Sequence, residues 1–283
     1  VDNNRHVPHP KVVACDLEEH IKDYDPYALK DKSDYGRKEE KILTLEKQFK
    51  EISNNVDRQA QILKGKILPL LLAEKRSSYM VEQEEGSLDT SRLYRIPSGD
   101  NKIYRRKVPG KKVDTAISIL CDVSGSMGGS RIDMLKPTLL VIADTLQALK
   151  IPFEILTFTT DRPNLTSKER LLLEQARDDW HSTGLKTYNR YSTLWHTVVK
   201  SFTENYMSVR KLIPLIEAHC ANVDSESVEW AISRLAMQRE QRKIQFVLSD
   251  GQPACSSVST HLVEKHLIET VTKAEKSGIE VIG

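Results

Sequence analysis

The stretch Ile117-Ser118-Ile119-Leu120-Cys121-Asp122-Val123-Ser124-Gly125-Ser126-Met127 constrains the rest of the chain most. An apolar run of strand length breaks at small residues and gives way to a helical pattern from about Ile132. In an open α/β sheet such a break falls at the carboxyl end of a strand, where these folds place their ligands. Asp122, Ser124 and Ser126 alternate across the break, so three oxygen-bearing side chains can converge on one point. Hard oxygen donors of this kind suit Mg²⁺ or another small divalent cation. One carboxylate and two neutral hydroxyls under-neutralise such an ion, which stays attractive to a carboxylate from outside. A helix N-cap would explain one of the three residues but not their spacing.

Composition narrows the partners. The net charge is +2 over 283 residues, with both signs mixed along the chain, which argues against nucleic acid. No run of about 18 apolar residues is present, so no membrane helix is expected. Cys15, Cys121, Cys220 and Cys255 lack zinc spacing and read as reduced thiols of a cytoplasmic protein. The start at Val1 and a final Glu280-Val281-Ile282-Gly283 that reads as a strand barely begun suggest a piece of a longer polypeptide.

Three segments are expected. Residues 1–34, with Pro8, Pro10 and Pro26, read as an irregular lead-in with a short helix near Leu17–Ile21. Residues 35–112 read as a helical arm followed by a hairpin or strap. Ile42, Leu45, Phe49, Ile52, Val56, Leu63, Ile67 and Leu70 recur at helical steps, weakened by Gly65 and Pro69. That apolar face fits a partner-binding arm, an oligomer seam or a helix packed on its own domain. Residues 113–283 alternate strand and helix and read as one α/β domain, truncated at its C-terminus. Strands are expected at about 115–121, 152–159 and 244–249 and near Ile279, and helices at about 131–149, 227–237 and 262–277. Residues 160–190 read as irregular, followed by a helical stretch to about Ala218.

Two further motifs fall on the same sheet edge. The strand 244–249 delivers Ser249-Asp250-Gly251, so Asp250 can bind an ion directly or through water. Between the two lies the acidic helix start Asp224-Ser225-Glu226, which can cap the helix or supply a ligand. Ser124 or Ser126 could alternatively be a nucleophile with His196, His219 or His261 as base, but no G-x-S-x-G elbow is present. The metal motif also fits an extracellular adhesion domain, which the absence of a disulfide pattern weakens. Tyr188, Tyr191 and Trp195 read first as core or loop packing, and are also the best candidate contact surface beside the site.

Asp122-x-Ser124-x-Ser126 with a downstream Ser249-Asp250-Gly251 resembles the metal-ion-dependent adhesion site of von Willebrand factor A domains. More closely, the chain resembles the CobT-type subunits of aerobic cobalt chelatases from about residue 60 to its end. Glu85-Gly86-x-Leu88-Asp89-x-x-Arg92-Leu93, Asn222-Val223-Asp224-x-Glu226 and Arg242-Lys243-Ile244 carry this likeness. So do Leu248-Ser249-Asp250-Gly251-x-Pro253, His261-Leu262 and His266-Leu267.

The resemblance implies a Rossmann-like, doubly wound α/β domain with a mostly parallel sheet flanked by helices. It implies a non-catalytic, Mg²⁺-binding adaptor subunit seated on an AAA+ ATPase ring of the CobS or MoxR kind. A large chelatase subunit would join in cobalamin biosynthesis, whereas a MoxR-type remodelling adaptor would act without cobalt. Most A domains place a Thr in the middle loop; here that loop is acidic, with Glu226 the nearest match and Asp224 second. No G-x-x-x-x-G-K-[ST] phosphate loop is present, so ATP chemistry would belong to a partner.

Overall fold

A computed structural model describes residues 78–108, 114–161, 165–183, 190–251 and 257–283. It also describes 13–23, 43–44, 46–53 and the positions 7, 56, 62, 65, 188 and 255. The chain divides into two compact units, residues 1–60 with 115–283 and residues 61–114.

The larger unit is built on a six-stranded sheet. In chain order the strands are β1 (Leu17–His20), β5 (Thr115–Asp122), β6 (Phe153–Thr160), β7 (Leu194–Lys200), β8 (Arg242–Leu248) and β9 (Ile279–Ile282). Across the sheet they run β1-β7-β6-β5-β8-β9, and only the β6–β7 pair is antiparallel. The mostly parallel, helix-flanked sheet is the architecture expected. β5 lies between β6 and β8, with Asp122 opposite Phe158 and Cys121 opposite Leu248. The chain leaves β5 first towards β6 and later returns to its other side at β8. Sheets of this kind take their ligands at the carboxyl edge beside such a reversal.

Four long helices flank the sheet: α1 (Ser130–Leu149), α2 (Ser167–Thr183), α3 (Asp224–Ala236) and α4 (Thr260–Lys276). Strand alternation puts Ser118, Leu120 and Asp122 on one face of β5. Leu120, Leu156, Phe158 and Val198 meet Val228 and Ala231 of α3 there in a fully buried layer. Below that layer, Ser118 bonds the buried Glu154 at 3.0 Å, and Arg234 of α3 bonds the other Glu154 oxygen at 3.1 Å. On the opposite face Tyr206 packs edge-on against Phe153 with centroids 5.5 Å apart. Its hydroxyl donates to Asp144 of α1 at 2.7 Å.

Several expectations are corrected. Leu17–His20 is a strand parallel to β7, not a helix. The stretch read as irregular contains α2, and the stretch read as helical contains β7. β7 escapes the pattern because it is buried on both faces yet carries His196 and Lys200. Each has a local partner. His196 Nε2 meets Ser227 Oγ at 3.1 Å, and the ring stacks on Trp230 at 4.2 Å. Burial, with the Arg190 charge second, holds that imidazole down at about 3, so it is neutral and unsuited to be a general base. Lys200 donates to the Phe153 carbonyl at 2.6 Å.

The described residues between 43 and 53 are helical. Arg210 lies over the Phe49 ring at 5.1 Å and within 3.5 Å of Ser53 Oγ, and Val56 is fully buried. This part of the expected arm therefore packs on the sheet unit. Most of the remainder of 35–75, including Pro69, lies outside the described residues.

The smaller unit holds a three-stranded antiparallel sheet, in the order β2 (Ser78–Gln83), β4 (Tyr104–Val108), β3 (Ser87–Leu88). Gly86 sits at φ 129°, and a Cβ there would lie 2.6 Å from the Arg105 carbonyl. Asp89 caps the 3₁₀ turn Thr90–Ser98 through Ser91 N at 3.2 Å, and Arg92 pairs with Glu82 at 2.7 Å. The Glu85-to-Leu93 motif thus shapes this small sheet.

Candidate metal centre

The site forms where β5 and β8 end. Asp122 is fully buried, and its carboxylate is fixed by three donors. Ser124 N reaches Oδ1 at 2.8 Å; Asn222 Nδ2 and Ser249 Oγ reach Oδ2 at 3.1 and 3.2 Å. Ser124 Oγ and Ser126 Oγ lie 3.0 Å apart, so the two hydroxyls do converge. The backbone holds them there. Ser124 bridges His219 in parallel fashion, His219 N donates to the Val123 carbonyl at 2.8 Å, and Gly125 N donates to the Cys220 carbonyl at 2.7 Å.

Gly125 is required at this stitch, because a Cβ would lie 2.9 Å from the Cys220 carbonyl oxygen. Gly125→Ala should cost about 1–3 kcal/mol of stability by overpacking against backbone. Thermal unfolding checks this; an unchanged midpoint would show that the loop yields freely.

The two acids of the middle loop stand in different surroundings. Glu226 does not face the site. Its two oxygens take Nε and Nη2 of Arg190, each at 2.7 Å. Arg190 also forks onto Asp16 at 2.9 and 2.6 Å and donates to the Ser192 carbonyl at 2.7 Å. This corrects Glu226 as the nearest match: a buried guanidinium has claimed it. Asp224 is buried, and its Oδ2 has no hydrogen-bond partner among the described residues. Burial, helped by the charges of Asp122 and Asp250, pushes the Asp224 carboxyl up to about 7. Asp250 is nearly buried and meets Arg131 Nη1 at 2.6 Å.

The contact surface expected at Tyr188 and Trp195 is also corrected. Tyr188 is buried with Val7, Val258 and Val263, and its hydroxyl bonds Ser225 Oγ at 2.7 Å. Trp195 is buried within β7, its ring 5.2 Å from His219. Tyr191 is half-buried against Trp180 at 5.5 Å.

No His ring is bonded to Ser124 or Ser126 among the described residues, so the nucleophile arrangement is not assembled. The Cys121 thiol is pushed up to about 12 by burial and is inert. Among the described residues, no group of three or more His, Cys, Asp or Glu side chains is placed to hold a metal by itself. The donors available here are mixed: hydroxyls of Ser124 and Ser126 and carboxylates of Asp122 and Asp224. These hard oxygens, one of them buried and unpartnered, fit a small divalent cation. Asn222, Ser249 and Arg131 were not singled out as site residues from the sequence; each reaches a site carboxylate or its loop only through the fold.

Comparisons with known proteins agree with the fold. Over 245 residues the chain is 22% identical to the Bacillus subtilis (strain 168) protein YojO, described as uncharacterized. The match covers 86% of this chain, which spans about a third of that relative's length. The open-conformation crystal structure of the pilus adhesin SpaC from Lactobacillus rhamnosus GG matches 59% of this chain and 23% of its own. Its identity of 11% and TM-score of 0.35 are too low to carry an argument. Residues 103–283 match the family described as the cobalamin biosynthesis protein CobT VWA domain. With more than half of its length matched, the chain belongs to the CobT-type von Willebrand factor A family.

Proposed function

We propose that this chain is a Mg²⁺-dependent, protein-binding subunit of an ATP-driven machine. The reading supported best is the CobT-like subunit of a cobalt chelatase in cobalamin biosynthesis, acting in the cytoplasm. Family membership supports the setting. The reading of a cation rests on the Asp224 oxygen, buried without a partner among the described residues and close enough to Asp122 and Asp250 to feel their charges. A buried carboxylate without a partner is costly unless something positive meets it.

In this reading Asp122, Ser124, Ser126 and Asp224 hold the ion, and Asp250 reaches it directly or through water. The ion, when bound, supplies an open Lewis-acidic position for a partner carboxylate. The protein's own part is positional. Asn222 and Ser249 orient Asp122, and the Gly125–Cys220 stitch sets the hydroxyls. The partner is an AAA+ ATPase ring, and in the chelatase case a large metal-inserting subunit as well.

Pull-down of the AAA+ ATPase from the same genome should succeed with Mg²⁺ and fail with EDTA. Equal capture under both conditions would overturn the cation-dependent reading. Capture of the ATPase without any large chelatase subunit would favour a MoxR-type remodelling role that uses the same site.

A further inference from the structure

Arg131 stands in the first turn of α1, five residues beyond Ser126, and nothing in the metal motif calls for it. Its Nη1 donates to two places at once: the Ser126 carbonyl at 2.9 Å and Asp250 Oδ2 at 2.6 Å. One nitrogen thus ties the turn after β5 to the end of β8. The side chain is 56% exposed and Asp250 only 9%, so the arginine reaches in from the rim. Arg131 brings one positive charge to three carboxylates. Asp122 and Asp250 are near enough to Asp224 for their charges to be felt there. The hydrogen bonds to Asp122 come from neutral donors, a backbone N–H, an amide and a hydroxyl.

We infer that Arg131 is a tethered counter-cation of the site, which holds Asp250 and competes with a divalent ion for it. This rests on the metal-site reading above. The electrostatics are elementary. A guanidinium a few ångströms from a divalent ion repels it, and both seek the same carboxylate. A side chain held at the rim by two contacts to one nitrogen can swing into water without disturbing the core. Arg131 therefore preserves the cation-free arrangement of the two motif ends and sets the concentration at which an ion displaces it. Once displaced, the guanidinium is free to take a partner carboxylate in two parallel bonds. Ion binding and recognition of an acidic partner would then be coupled through one side chain.

The test uses Mn²⁺ alone, with free ion followed by its electron paramagnetic resonance signal. Arg131→Gln should bind Mn²⁺ about tenfold more tightly than wild type, and the gap should narrow at high salt. Arg131→Lys, which keeps the charge, should stay within about twofold of wild type on the same grounds. Equal or weaker binding by Arg131→Gln overturns the inference, as does an Arg131→Lys protein that behaves like Arg131→Gln. Asp224→Asn tests the site itself. If it binds Mn²⁺ as wild type does, the metal-site reading fails, whatever Arg131 shows. If it loses binding while Arg131→Gln equals wild type, the site stands and the counter-cation role falls.

Discussion

Asp224→Asn is expected to make the cation-free protein more stable and to remove its response to Mg²⁺. The cause is the raised carboxyl: about 7 in the folded chain against an ordinary 3.8. Between those values the folded state keeps a proton that the unfolded state has released. Stability from this group is therefore complete below about 3.8, declines as pH rises, and is gone above about 7. The Asn variant should match wild type in acid and exceed it by about 2–4 kcal/mol at pH 8 in EDTA. Excess Mg²⁺ should close most of that gap. An ion at one hundred times its dissociation constant adds about 2.7 kcal/mol to wild type and nothing to a variant that cannot bind it. Urea unfolding at pH 3.5 and pH 8, with Mg²⁺ or EDTA, reads both effects. A variant less stable than wild type at pH 8 in EDTA would contradict the account. So would an equal gain from Mg²⁺. Asp122 offers no such clean separation, because Asp122→Ala would orphan three donors as well as remove a ligand.

The second large effect lies one shell out. Arg190→Leu should cost about 3–5 kcal/mol, because two carboxylates lose their shared buried partner. Arg190 makes five contacts that join the chain ahead of β1, the chain ahead of β7 and the first turn of α3. Asp16 also accepts from Leu194 N at 2.8 Å, so the strand pairing of β1 depends on the same cluster. Arg190→Lys should recover only part of the loss, since an ammonium cannot serve two carboxylates with a planar fork. Adding Asp16→Asn and Glu226→Gln to the leucine variant should restore stability by removing the uncompensated charge. A leucine variant with an unshifted urea midpoint would refute this reading. Glu226 lies two residues from Asp224, so the arginine also fixes how the candidate ligand is presented.

Much of this fold is legible in the chain, for identifiable reasons. β5, β6 and β8 are apolar runs that end in turn residues, and α4 carries a clean helical stripe. Those patterns arise from burial, which the sequence states directly. β7 and α2 are hidden for opposite reasons. His196 and Lys200 sit inside β7 because Ser227, Trp230 and the Phe153 carbonyl receive them, and those partners are distant in sequence. α2 has no fully buried residue among those described, so it lacks the stripe that announces a helix. The site divides in the same way. Spacing and strand ends single out Asp122, Ser124, Ser126 and Asp250 as candidates. Glu226 is bound by Arg190, 36 positions away, which local sequence cannot express.

The connection between β6 and β7 has a consequence for how such a module can diversify. Thr160 and Leu194 are paired across an antiparallel ladder, so a two-residue turn would suffice to join them. The chain instead makes a long excursion that includes α2, which commits none of its described side chains fully to the core. Composition along α2 is thus far less tied to folding than the buried Tyr188 and Arg190 that close the excursion. Selection can rewrite that ornament to change what the module greets while the sheet beneath stays unaltered.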